Sequence, residues 1–260
     1  MSIGKILDRS FKIIRDNFAL LYGIIIIVYF PLFFIQFAFR WFQMQTQQMA
    51  AGPYVQPAQL LVPLAAGVVI LFLWVFIIPL GTMAVTSAIY AIYRGGKATA
   101  MGAYRDVVML FIPALALVFL VGLVVGLGTL FCIVPGVIAH LMFFVVFPVC
   151  VIEKRGVFET LQRSYELTKG NYMNLFAIVF LVGIVEYAVT ASFSFGSDAV
   201  FTSPSILSVT LHSLANFVGA LLIAPVKLVV ASMVYFALRE SREGFDLELQ
   251  TKTVLGGIQW

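Results

Sequence analysis

Six apolar stretches, each long enough to cross a bilayer, constrain this chain more than any other feature. They fall at about 18–39, 60–92, 108–127, 131–152, 173–195 and 206–238. A hydrocarbon core about 30 Å thick needs about 20 apolar residues in helical form. Backbone groups in lipid have to be paired within the protein, which leaves helices or closed barrels as spanning structures. The composition agrees, with 62% hydrophobic and 11% charged residues, against about 25% charged in soluble domains. The expected fold is an all-α, polytopic integral membrane protein. Its six transmembrane helices form three hairpins within a single transmembrane domain over residues 1–240, and a tail follows at 241–260. The third and fourth stretches form one uncharged run. Read as one helix they would span the membrane twice, so a turn is expected among Gly126, Gly128, Pro135 and Gly136.

Charge sorts the connections. The N-terminal segment carries Lys5, Arg9, Lys12 and Arg15. The second connection has Arg94, Lys97 and Arg105, the fourth Lys154, Arg155, Arg163 and Lys169, and the tail Arg239, Arg242 and Lys252. The alternate connections hold only Arg40. Lys and Arg collect on the cytoplasmic side of a membrane, so both termini are expected there. The expected location is the cytoplasmic (inner) membrane of a bacterium or archaeon, with multiple passes. The apolar run from Phe18 to Phe39 exceeds a signal-peptide core, so no cleaved leader is expected. Cys132 and Cys150 lie too far apart along a helix for a disulfide.

Residues 2–16 and 157–169 are amphipathic. In the first, Ile3, Ile6, Leu7, Phe11, Ile13 and Ile14 oppose the charged residues. In the second, Val157, Phe158, Leu161 and Tyr165 share a face. This is the pattern of helices lying in the headgroup plane. The two segments also resemble each other: RSFKIIRDNF (9–18) aligns with RSYELTKGNY (163–172), and GAYRDVVMLF (102–111) is a weak third copy. FIIPLG around Pro79 echoes LIAPVK around Pro225. Three units are expected, each an interfacial helix followed by a membrane hairpin. The tail alternates Phe245, Leu247 and Leu249 with polar residues, a short strand-like pattern; disorder is expected, with addition to a partner's sheet edge as the alternative.

Lys227 is the one charged residue between Asp198 and Arg239. It lies twelve residues before Arg239, Glu186 thirteen after Met173, His140 thirteen before Glu153, and Thr82 twelve before Arg94. At 1.5 Å per residue all four reach a depth of about 18–20 Å, near the midplane. A charge at that depth costs a few kcal/mol unless paired, so Lys227 is expected to face the interior and meet Glu186. A structural clamp, a path for a proton, ion or polar headgroup, and a lysine that merely snorkels outward all fit this spacing. His212 is expected near Ser213 and Asn216.

No nucleophile elbow, zinc-protease motif or phosphate loop occurs, and no His, Cys and carboxylate set has metal-ligand spacing. No catalytic residues, no metal, no cofactor and no nucleic-acid partner are expected. The reading taken is a non-enzymatic scaffold or accessory subunit, engaging membrane lipids, a protein partner or a second copy through its amphipathic helices. The alternative is a small transporter or channel using the Glu186, Lys227, His140 and Thr82 layer.

Residues 148–170, PVCVIEKRGVFETLQRSYELTKG, resemble the signature of a prokaryotic six-helix group. It includes the membrane domain fused to some bacterial glycerophosphodiester phosphodiesterases and the YciC-like inner-membrane proteins. The matching positions are Pro148, Glu153, Gly156, Arg163, Ser164, Leu167 and Gly170. The resemblance implies an architecture and no activity, since the phosphodiesterase's catalytic barrel has no counterpart in this sequence.

Overall fold

The computed structural model describes residues 3–49, 57–200 and 205–243. Among these described residues ten helices follow in order: α1 (Ile3–Asp16), α2 (Phe18–Met49), α3 (Pro57–Tyr93), α4 (Ala100–Val108) and α5 (Phe111–Phe131), then α6 (Ile133–Met142), α7 (Val146–Glu153), α8 (Val157–Thr168), α9 (Tyr172–Val200) and α10 (Ile206–Glu243). Among the described residues six apolar segments are long enough to cross a membrane, the fourth running through α6 and α7. The tail pattern at Phe245, Leu247 and Leu249 lies outside the described residues.

Each unit opens with a short helix, α1, α4 or α8, that feeds a hairpin. The carbonyls of Asn17, Leu110 and Asn171 accept the first helical bonds of the long helices, from the N–H groups of Leu21, Ala114 and Leu175 at 3.1, 2.9 and 3.0 Å. Those three donors are fully buried, as are Ile24, Leu117 and Ile178 one turn later. The middle unit therefore shares the spatial pattern of its neighbours although its sequence has drifted.

The turn between the third and fourth spans falls at Cys132, whose extended backbone (φ −168°, ψ 148°) separates α5 from α6. Gly126 and Gly128 stay inside α5 rather than turning the chain. Gly128 serves close approach instead: a Cβ there would sit 3.0 Å from the Gly136 nitrogen. The glycines let two backbones touch directly after the turn.

The fourth span is broken, not continuous. Phe143–Val145 leave the helix, and Val146 N–H bonds to the Phe143 carbonyl at 3.1 Å. Pro148 has no N–H to return to the preceding turn, which favours the break there. The Met142 carbonyl loses its helical partner and accepts hydrogen bonds from Ser164 Oγ (2.9 Å) and Thr168 Oγ1 (3.2 Å) on α8.

That contact shows which side of α8 meets protein. Its buried face is Thr160, Ser164, Leu167 and Thr168, while Phe158 and Tyr165 are exposed. In lipid, apolar side chains need no protein partner, whereas hydroxyls gain by meeting a carbonyl. On α1, Ile6 and Ser10 are buried and Phe11 is exposed.

The packed core lies toward the end of the bundle that bears α1, α4, α8 and the basic connections. Among the described residues, buried apolar side chains occupy Leu21–Leu32 of α2, Met83–Ile89 of α3, Leu175–Val182 of α9 and Ile223–Leu238 of α10. Thr86 and Ser232 share a hydrogen bond within it at 3.1 Å.

Candidate functional site

Beyond that core the bundle opens into a cavity of about 690 Å³ walled by all six spans. Lys227, Glu186, His140 and Thr82 all line it. Lys227 lies on α10 two residues past Pro225, which is buried inside that helix. Its Nζ donates to Glu186 Oε1 on α9 at 2.8 Å. The side chains are 55% and 34% exposed, so the pair faces open space and is not sealed in packing. Thr82 donates its hydroxyl to the Ile78 carbonyl at 3.0 Å, which ties it to its own helix. The His140 ring stands edge-on to Phe144, with centroids 6.2 Å apart.

Three further polar side chains line the cavity: Tyr29 and Gln36 of α2 and Thr190 of α9. Gln36 was legible, being the one amide or charged residue in the stretch 18–39. Thr190 bonds to the Glu186 carbonyl at 2.7 Å, so its register with Glu186 on one helix face was the available signal. His212 lies farther along α10, where Ser197 Oγ meets its Nδ1 at 2.7 Å and Ser194 donates to Asn216 Oδ1 at 2.6 Å. Ser213 beside it is buried and takes no part in these bonds.

A second polar cluster stands at the basic end and accounts for the motif at 148–170. Glu153, at the end of α7, has a side chain only 6% exposed. It accepts from Arg163 Nε (3.1 Å), Arg155 Nε (2.8 Å) and the Tyr235 hydroxyl (3.1 Å). Arg163 also binds Glu243, which Arg239 holds at 3.0 Å. Burial alone would lower the Arg163 guanidinium's pKa, but its bonds to Glu243 and Glu153 raise it above the ordinary arginine value. The remaining motif positions shape the backbone. Pro148 follows the break, Gly156 precedes the first residue of α8, and Gly170 adopts a left-handed φ of 82°, which favours glycine. Tyr235, Arg239 and Glu243 form their own i,i+4 chain on α10, but nothing in the sequence ties that chain to Glu153 and Arg163, some 80 residues away.

Among the described residues no group of three or more His, Cys, Asp or Glu could hold a metal ion. Cys132 and Cys150 are free thiols, the first exposed and the second buried.

The chain is similar to a UPF0259 membrane protein of Pectobacterium carotovorum, at 25% identity over 142 residues. That match covers 55% of this chain, and the chain spans just over half of that relative's length (56%). No solved structure matches. The model of an uncharacterised protein family, UPF0259, matches residues 58–224. That stretch runs from α3 to Ala224 of the cavity wall, and the chain belongs to this family of membrane proteins.

Proposed function

We propose that this protein is a small transporter whose solute binds at the Glu186–Lys227 pair in the middle of the spans. The observation that carries the reading is a half-exposed ion pair facing a cavity of about 690 Å³. Charges left facing a void inside a membrane call for water or a polar ligand there. The tight core on the basic side is one gate, and the cavity lies beyond it. In this reading the basic end is cytoplasmic, as the distribution of Lys and Arg favours, and the protein acts without a catalytic centre. The motif at 148–170 then marks the scaffold shared with phosphodiesterase-fused membrane domains and YciC-like proteins.

The scaffold reading keeps one supporting observation. Phe11, Met101, Met109 and Phe158 on and beside the short helices are exposed, which suits anchoring in lipid.

The test uses single cysteines at Thr190 and Ala220 in a Cys132→Ala, Cys150→Ala background. Both should react with a membrane-impermeant thiol reagent from one side of sealed vesicles, while Ile178→Cys in the core stays unreactive. If neither cavity cysteine reacts from either side, the transport reading fails.

A further inference from the structure

A second void adjoins the first. It is a groove of about 540 Å³ between the α5–α6 hairpin and α9. Its walls are apolar, formed by residues such as Ile133, Val137, Phe176, Phe180 and Ile184. Val125 and His140 line both voids. On α9 the groove ends at Tyr187, the residue next to Glu186 of the cavity. From Phe176 to Tyr187 it runs about 16 Å along the helix, close to half of the ~30 Å hydrocarbon core. One leaflet's worth of apolar groove thus leads to the polar layer. Gly183 floors it, and a Cβ there would meet nothing within 4 Å.

We propose that this groove is a lateral entrance, and that the substrate is a zwitterionic phospholipid. Its ammonium would bind Glu186, its phosphate would bind Lys227, and an acyl chain would lie along α9. The inference rests on the transport reading and names its substrate class.

Charge selects the headgroup. Glu186 and Lys227 neutralise each other at 2.8 Å. A purely anionic ligand would take Lys227 and leave the carboxylate without a counter-charge at membrane depth. A cation would strand the ammonium in the same way. A ligand bearing both charges exchanges one ion pair for two and strands neither. Hydrophobicity selects the tail. An acyl chain in the groove never leaves an apolar environment, so only the headgroup crosses the layer.

The full chain is reconstituted in phosphatidylglycerol vesicles, which supply no zwitterionic competitor, containing phosphatidylethanolamine with a photoreactive diazirine on its acyl chain near the glycerol. A diacylglycerol carrying the same group serves as the headless probe. After illumination, adducts are mapped by mass spectrometry on the cavity-facing stretch of α10, residues 220–231. Phosphatidylethanolamine should label it at least fivefold more than the diacylglycerol, and Gly183→Trp should cut that labelling at least fivefold. Gly183→Leu, a smaller block in the same space, should give an intermediate loss. Equal labelling by the two probes, or full labelling in a folded Gly183→Trp or Gly183→Leu variant, overturns the proposal. The headgroup comparison needs no variant, so misfolding cannot rescue it. Cavity cysteines that react with aqueous reagent while lipid never labels α10 would sink lateral entry alone. Cavity cysteines that never react sink the transport reading, and this inference with it.

Discussion

Lys227 shows what a single residue does in this setting. Its Nζ meets Glu186 at 2.8 Å, so neither charge stands alone in lipid. Removing one partner of an enclosed ion pair costs about 3–5 kcal/mol. Because this pair is half exposed, Lys227→Met or Glu186→Gln alone should cost less, about 1–3 kcal/mol. The double variant should be more stable than the sum of the two losses allows, as coupled neighbours are. Unfolding in mild detergent measures all three, and strictly additive losses would mean that the two side chains act independently. Glu153 is the opposite case. Three donors surround a carboxylate that is almost fully enclosed, so Glu153→Gln should lose about 3 kcal/mol or more in the same assay. Tyr235→Phe, which deletes one donor, should lose about 1 kcal/mol.

At the scale of elements, the broken fourth span and α8 explain each other. Phe143–Val145 free the Met142 carbonyl, and α8 answers with two hydroxyls. Ser164→Ala combined with Thr168→Val would leave that carbonyl unpaired in the interior. The pair of substitutions should destabilise the protein by about 1–3 kcal/mol, with each alone costing less because the other hydroxyl remains. A melting temperature for the three variants in detergent checks this. A double variant as stable as either single one would mean that the carbonyl finds another donor. The same break separates His140, on α6, from Pro148 and Glu153, on α7. It divides one apparent span into a cavity-lining half and a half that anchors the basic-end cluster. The α5–α6 turn works by a different device, since Gly128 and Gly136 let backbones approach more closely than a side chain would permit.

Across the whole molecule two compartments alternate. A dense core occupies the basic end, and an open, polar-lined cavity lies beyond it, with the apolar groove at its side. The topology is testable in a Cys132→Ala background. Lys97→Cys and Lys154→Cys should react with impermeant reagent from one side of the membrane, and Ser205→Cys from the other. Labelling of Lys97→Cys and Ser205→Cys from the same side would break the orientation read from charge.

What the amino-acid sequence determined by itself was whatever depends on one-dimensional spacing. Lipid demands about twenty apolar residues per crossing, so the six segments were countable. Helical rise fixes depth, so spacing alone assigns Lys227, Glu186, His140 and Thr82 to one layer. Depth carries no azimuth, however, and the spacing left three fates open for the lysine. Only the tertiary structure decided that the pair faces a cavity, because six helices have to be rotated and tilted together before a void exists. It alone decided which side of α8 is inward. The hydrophobic pattern marked Phe158 and Tyr165 as the apolar face of an interfacial helix, but gave no sign that Ser164 and Thr168 on the other side meet the Met142 carbonyl. The cluster at Glu153 was likewise invisible in part, since its acid and its motif arginine are near neighbours while Tyr235, Arg239 and Glu243 arrive from a helix some eighty residues away.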